Sequence, residues 1–178
     1  MNKIIIVMML LLSNQIFAQK TKPNKEDTFK FIMNMLDEAS FNGYDGRGNR
    51  KIIDYETINY DVSKLKINII QSMILMSGPL KGTEATKSYY NLNDIKYTNV
   101  VEHDSEIFEV KIGFFTSYKY EYIVSKKTYL IDKDFSNSTK GTGTETRFIF
   151  NDKSKANKLY KALLHLKSIV GVKDSLFD

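Results

Sequence analysis

The chain contains no cysteine. That absence excludes disulfides, thiolate nucleophiles and thiolate metal sites, together with the lipidated cysteine that would tether a lipoprotein behind its leader. Tryptophan is also missing, and there are only two prolines and two histidines. Arginine is nearly as scarce, because Arg47, Arg50 and Arg147 are the only ones among 26 basic residues. The arginine fork is the usual reader of phosphates and base edges. A lysine-dominated excess spread along the chain is therefore a poor nucleic-acid footprint and reads as a solvated surface. No internal repeat and no second domain boundary is visible, so 178 residues imply one domain. A body of that size buries roughly 70% of the surface its unfolded chain exposes. With no covalent cross-link available, packing alone must hold it.

What is present begins with "MNKIIIVMMLLLSNQIFAQK". Lys3 leads an apolar run over residues 4–12, followed by polar Ser13, Asn14 and Gln15 and a small residue at Ala18. This is the layout of a cleaved secretory signal, and the run is shorter than the ~20 residues needed to span a bilayer. Cleavage is expected after Ala18, which removes one positive charge from a formal net charge of +5 and leaves +4. The expected organisation is a signal peptide over 1–18, a flexible lead-in over 19–27 containing Pro23, and one globular domain over 28–178. The expected location is secreted or periplasmic, with no transmembrane anchor after cleavage.

A first helix follows, with Asp27 as its expected cap and Phe29, Ile32, Met33, Leu36 and Ala39 on one face. Phe31 and Met35 fall on the other side. "SFNGYDGRGNR", residues 40–50, then places Gly43, Gly46 and Gly48 in a glycine-rich connection from helix to sheet. From there the period is two. Leu65, Ile67 and Ile69 alternate with polar residues, and 70–76 become almost wholly apolar, as in a strand buried on both sides or passing a bulge. Phe108, Val110, Ile112 and Phe114 mark a half-buried strand over 107–114, and shorter strands are predicted at 57–61, 95–101, 118–124, 128–131 and 146–150. "DKDFSNSTKGTGTETR", residues 132–147, reads as a polar surface loop and the most mobile segment.

The chain closes with a strongly periodic helix. Asn151 or Asp152 can cap it, Gly171 stands where a left-handed terminator belongs, and Ala156, Leu159, Tyr160, Leu163, Leu166 and Val170 form one stripe. Lys158, Lys161, His165 and Ser168 lie opposite, and Lys167 sits on the edge of the stripe, where its stem can lie on apolar surface. "YYNLNDIKYTNV", residues 89–100, and "TRFIFNDKSKANKLYKALLHLK", residues 146–167, resemble the strand entry and the final strand, turn and helix of the pleckstrin-homology-like superfold. That resemblance implies a mostly β, α+β domain: a partly open antiparallel barrel of about seven strands, with an N-terminal helix and a C-terminal capping helix. It does not carry over lipid binding. The closing helix lacks the tryptophan common in that family, and no phosphoinositide-type basic cluster surrounds Lys64 and Lys66.

Little in the sequence points to chemistry. His165 falls on the wet face of its helix, among lysines. His103 sits in "VVEHDSEIF" with Glu102, Asp104 and Glu106, ligand types in kind, but strand neighbours point to opposite faces and a polar hairpin turn accounts for the same letters. "NGYDGRGNR" has neither the phosphate-loop nor the calcium-loop spacing. No G-x-S-x-G is present, and neither histidine has a serine–carboxylate setting. Asn137 heads an N-S-T acceptor sequence. Tyr89, Tyr90, Tyr97, Tyr118, Tyr120 and Tyr122 are numerous for so small a domain, and rings on a sheet serve either cross-strand packing or contact with a sugar or peptide. The reading is an exported, non-enzymatic binding or structural protein of the cell envelope. It needs no cofactor or metal, and its ligand is an unknown protein, peptide or glycan met at the sheet edge. The rival is an envelope-directed hydrolase using carboxylates or His103.

Overall fold

A computed structural model describes residues 23–44, 48–77, 80–104, 106–128 and 131–171. The expected signal peptide, residues 19–22 of the lead-in and residues 172–178 lie outside them. The architecture is α+β and mostly β: helix α1 (Lys25–Asp37), seven strands, and helix α2 (Lys153–Val170).

Asn24, not Asp27, caps α1, its side chain accepting from the Asp27 N–H at 2.9 Å. Asp27 is thereby placed in the first turn, where a carboxylate suits the positive end of the helix dipole. Phe29, Ile32, Met33 and Leu36 are buried as the spacing required, and Met35 joins them, leaving Phe31 43% exposed. The glycine-rich stretch after α1 is not a plain connection. It contributes strand β1 (Ser40–Tyr44), which forms an antiparallel pair with β2 (Arg50–Asp61).

β3 (Lys66–Ser77) and β4 (Leu80–Asn91) form a long hairpin, followed by a single 3₁₀ turn (Leu92–Asp94) and β5 (Ile95–Asp104). Leu65 turns the chain into β3 with φ 50° while its side chain is fully buried. A leucine accepts that left-handed backbone only because its burial outweighs a strain of about 1–2 kcal/mol. β6 is one strand of 22 residues (Ile107–Thr128), uniting the two segments expected at 107–114 and 118–124. β7 (Ile131–Phe150) pairs along nearly all of it. The expected mobile loop at 132–147 is therefore strand, and the short strand expected at 128–131 is where β6 ends and β7 begins.

Tyrosines explain why so polar a segment is strand. An added Cβ at Gly141 would lie 2.5 Å from the Tyr120 ring, and one at Gly143 would lie 2.8 Å from the Tyr118 ring. Each glycine lets a ring from its cross-strand partner lie across the β7 backbone. Tyr97 of β5 covers Gly113 of β6 in the same way.

The strands run in the order β4-β3-β2-β1-β7-β6-β5, and β4 also pairs with β6, so six of them close into a ring. Five of the ring's pairings are antiparallel and one, β1–β7, is parallel. An odd number of reversals returns the strand direction inverted, which a barrel of uniformly tilted strands cannot satisfy. The sheet must therefore coil through the mismatch, and the ring is not a true barrel. The mismatch falls at the β1–β7 seam, where Ser40↔Phe150 is the single registered pair. Side chains supply what the ladder lacks there. The buried Tyr55 hydroxyl accepts from Ile149 N–H at 3.2 Å and donates to the Arg147 carbonyl at 3.3 Å, and Asn151 Oδ1 accepts from Asn42 N–H at 3.0 Å.

The helices fill the coil. Asp152 caps α2 by accepting from the N–H groups of Ser154 and Lys155, and Gly171 ends it at φ 69°. Ala156, Leu159, Leu163 and Leu166 are wholly buried against the sheet and α1. Lys167 reaches back so that its Nζ donates to the Lys96 carbonyl of β5 at 3.0 Å. His165 is not fully on the wet face, because its Nε2 donates to the Pro23 carbonyl at 3.0 Å from a half-buried position beside α1. Leu163→Ala is expected to cost about 2–5 kcal/mol in urea unfolding, and Leu164→Ala, on the exposed side one residue on, under about 0.5 kcal/mol. Equal losses would contradict this placement of the helix.

Candidate ligand cleft

β6 changes partner along one edge. Its first part pairs with β5 up to Phe114, and its second part pairs with β4 from Lys119 onward. Residues 115–117 between them are exposed and pair with neither. The divergence of β4 and β5 at this point opens a cleft of about 420 Å³. Its position is held by Asp94, which accepts from the Thr116 N–H at 2.8 Å and also from the Thr116 hydroxyl. Asn91 caps the 3₁₀ turn beside it.

The floor is aromatic. Tyr90 and Phe114 stack at 5.6 Å and 9°, and Tyr118 leans on Tyr90 at 4.7 Å. The buried Tyr90 hydroxyl meets the Thr146 hydroxyl at 2.7 Å. The rim carries Lys66, Lys119 and Tyr89, whose ring is 47% exposed, with Asn68 and Asn91 between them. Among the described residues neither Lys66 nor Lys119 has a carboxylate partner. A second depression of about 430 Å³ shares Tyr89 and Lys119 and continues past Tyr120 to Lys140 and Thr142. The two share an edge and together cross β3, β4, β6 and β7, with aromatic rings, amide groups, three lysines and Glu121 along them. Such a lining can hold a chain of polar rings or an extended peptide. Asp94, the carboxylate of the first depression, is engaged by Thr116, and Glu121 lines the second opposite Lys140, accepting from the Ser138 hydroxyl at 2.9 Å.

Burial pushes the Tyr90 hydroxyl up to about 12 and raises Tyr118 as well. Tyr122, further along β6, is also pushed up to about 12, by burial first and by its contact with Glu84 second.

His103 lies at the end of β5, beside the turn into β6 as its letters suggested. Its neighbour Glu102 pairs with Lys153 at 2.7 Å. The group that does meet His103 is Glu109 of β6, 5% exposed, with its Oε2 at 2.7 Å from His103 Nε2. Arg147 Nε and Lys111 Nζ stand 3.4 and 3.8 Å from the other oxygen, ionic contacts without hydrogen-bond geometry. Arg147 continues to Glu145, whose carboxyl the Tyr97 hydroxyl and Arg147 hold below the usual carboxylate range. This chain of charges across β5, β6 and β7 compensates a buried carboxylate, and none of its members lines the cleft. Glu109 was overlooked in the sequence, although the period of two through 107–114 sets it beside Lys111 on one face.

Of the "NGYDGRGNR" residues, 45–47 lie outside the described ones, and the rest belong to the β1–β2 hairpin. Asn137 falls on β7, opposite Val124. Among the described residues no group of three or more His, Asp or Glu side chains is placed to hold a metal ion, and no helix is long and apolar enough to cross a membrane. Comparison of the chain with protein-family models, with characterised proteins and with solved structures finds no match.

The buried Tyr90 couples the cleft floor to alkaline stability. From its ordinary value of 10.0 to about 12 the unfolded chain releases this proton and the folded chain keeps it. The contribution is therefore complete below that window and is lost as pH rises through it. Tyr90→Phe is expected to flatten the fall of unfolding free energy across the window, and an unchanged slope would contradict the buried, neutral phenol.

Proposed function

We propose that the protein is an exported, non-enzymatic binding protein of the cell envelope, and that the track from Lys66 to Lys140 receives an anionic glycan. The observation that carries this reading is the exposed Tyr89 ring lining one cleft with Lys66 and Lys119, neither of which has a carboxylate partner among the described residues, above an aromatic floor. A sugar ring presents apolar C–H faces to tyrosine and hydroxyls to asparagine, and acidic substituents give the lysines their counter-charge. The hydrolase reading has weaker support, because its one close pair, His103 and Glu109, is bound into an ionic chain away from the track.

The test is titration of the chain with uronate-bearing and neutral oligosaccharides of equal length. The acidic series is expected to bind, and Tyr89→Ala is expected to weaken binding by about tenfold or more, the ~1–3 kcal/mol of one stacked ring. Lys119→Ala is expected to reduce both affinity and its salt dependence. The double variant His103→Ala/Glu106→Ala is expected to bind like the parent. Loss of binding in that variant with the fold intact, or no preference for the acidic series, would overturn the proposal.

A further inference from the structure

The helical side carries a second concavity, independent of the sheet track. α1 and α2 run antiparallel, tied at one end by His165 to the Pro23 carbonyl and at the other by Lys155 to Glu38 at 3.1 Å. Between them lies a trough of about 920 Å³. Its α2 wall runs from Lys158 to Ile169, about 16 Å at the helical rise. Phe31, Ala162 and Ile169 supply the apolar lining, and Phe31 and Ile169 remain 43% and 39% exposed. These are large side chains left in water on a surface that the core does not need.

The charges along the trough are unequal. Lys158 and Lys161 stand on the α2 side without a carboxylate partner among the described residues, and Asp27 stands on the α1 side. An occupant must therefore offer an apolar length and one negative group directed toward α2. We infer that the trough binds a free long-chain amphiphile with a single anionic head, its chain along Phe31, Ala162 and Ile169 and its head at Lys158 and Lys161. The volume belongs to the small-molecule range of about 300–1,000 Å³.

The test uses the full chain and sodium oleate, with methyl oleate as the uncharged control, each read by displacement of anilinonaphthalene sulfonate and by calorimetry. Oleate is expected to bind, and methyl oleate about tenfold more weakly or worse. Lys158→Glu/Lys161→Glu is expected to bring oleate down to the methyl ester's level, and Asp27→Asn to strengthen it. Ala162→Glu should abolish binding of both. Phe31→Ala, at an exposed position, provides a second variant whose fold is retained, checked by circular dichroism. Four results would overturn the inference: no oleate binding, equal binding of oleate and its ester, binding indifferent to Ala162→Glu and Phe31→Ala, or association with phosphatidylglycerol vesicles alone. Tyr89→Ala is expected to leave oleate binding unchanged, which separates this site from the sheet track.

Discussion

One strand edge is shared by two partners, and most of the molecule follows from that. β6 gives its first part to β5 and its second to β4, while β7 accompanies it along the other edge. Because β4 is already joined to β1 through β2 and β3, the β4–β6 pairing converts a row of strands into a ring. It also leaves residues 115–117 without a strand partner on that edge, and the gap becomes the cleft. Closure and concavity thus have one cause. The ring's odd count of reversals then forces a seam between β1 and β7, where the Tyr55 hydroxyl substitutes for missing ladder bonds.

The two helices make the coiled sheet stable without any cross-link. A chain with no cysteine and no metal cluster among its described residues depends on packing, and the fully buried Leu159, Leu163 and Leu166 of α2 meet Phe29, Ile32 and Leu36 of α1 and the inner faces of the strands. The same stripe occupies the interior and leaves Lys158 and Lys161 of α2 facing water in the trough between the helices. Glu109 shows the cost of polar groups in such a body: nearly buried, it is held by His103, Arg147 and Lys111 from three strands at once.

Helix positions were legible because a stripe of apolar residues at three- and four-residue spacing has no other solution. Asp152 and Gly171 bound α2 as their letters indicate. The strand rich in alternating Phe, Val and Ile was equally plain. β7 was not, since Ser, Thr and Gly ordinarily mark loops, and the reason they form strand here lies in Tyr118 and Tyr120 on a different strand. β4 was hidden for a related reason: between Leu80 and Tyr89 it carries few large apolar residues and takes its stability from two flanking strands. The cleft was out of reach as well. Lys66, Tyr89 and Lys119 come from three separate strands, and only the partner change in β6 brings them together. The tyrosines were the one readable trace of it.

The β4–β6 pairing is also the most directly measurable element. In register, Lys87 faces Glu121 across β4 and β6, and Asn99 faces Lys111 across β5 and β6. Cross-strand neighbours stand about 4.5–5.5 Å apart at Cα, within the span of a disulfide. No native thiol competes, so Lys87→Cys/Glu121→Cys and Asn99→Cys/Lys111→Cys can be oxidised separately and scored by mass spectrometry. Both pairs should cross-link, while Lys87→Cys/Tyr122→Cys, with its thiols on opposite faces, should not. Cross-linking of the β5 pair without the β4 pair would mean that β6 keeps one partner, and neither ring nor cleft would survive that result.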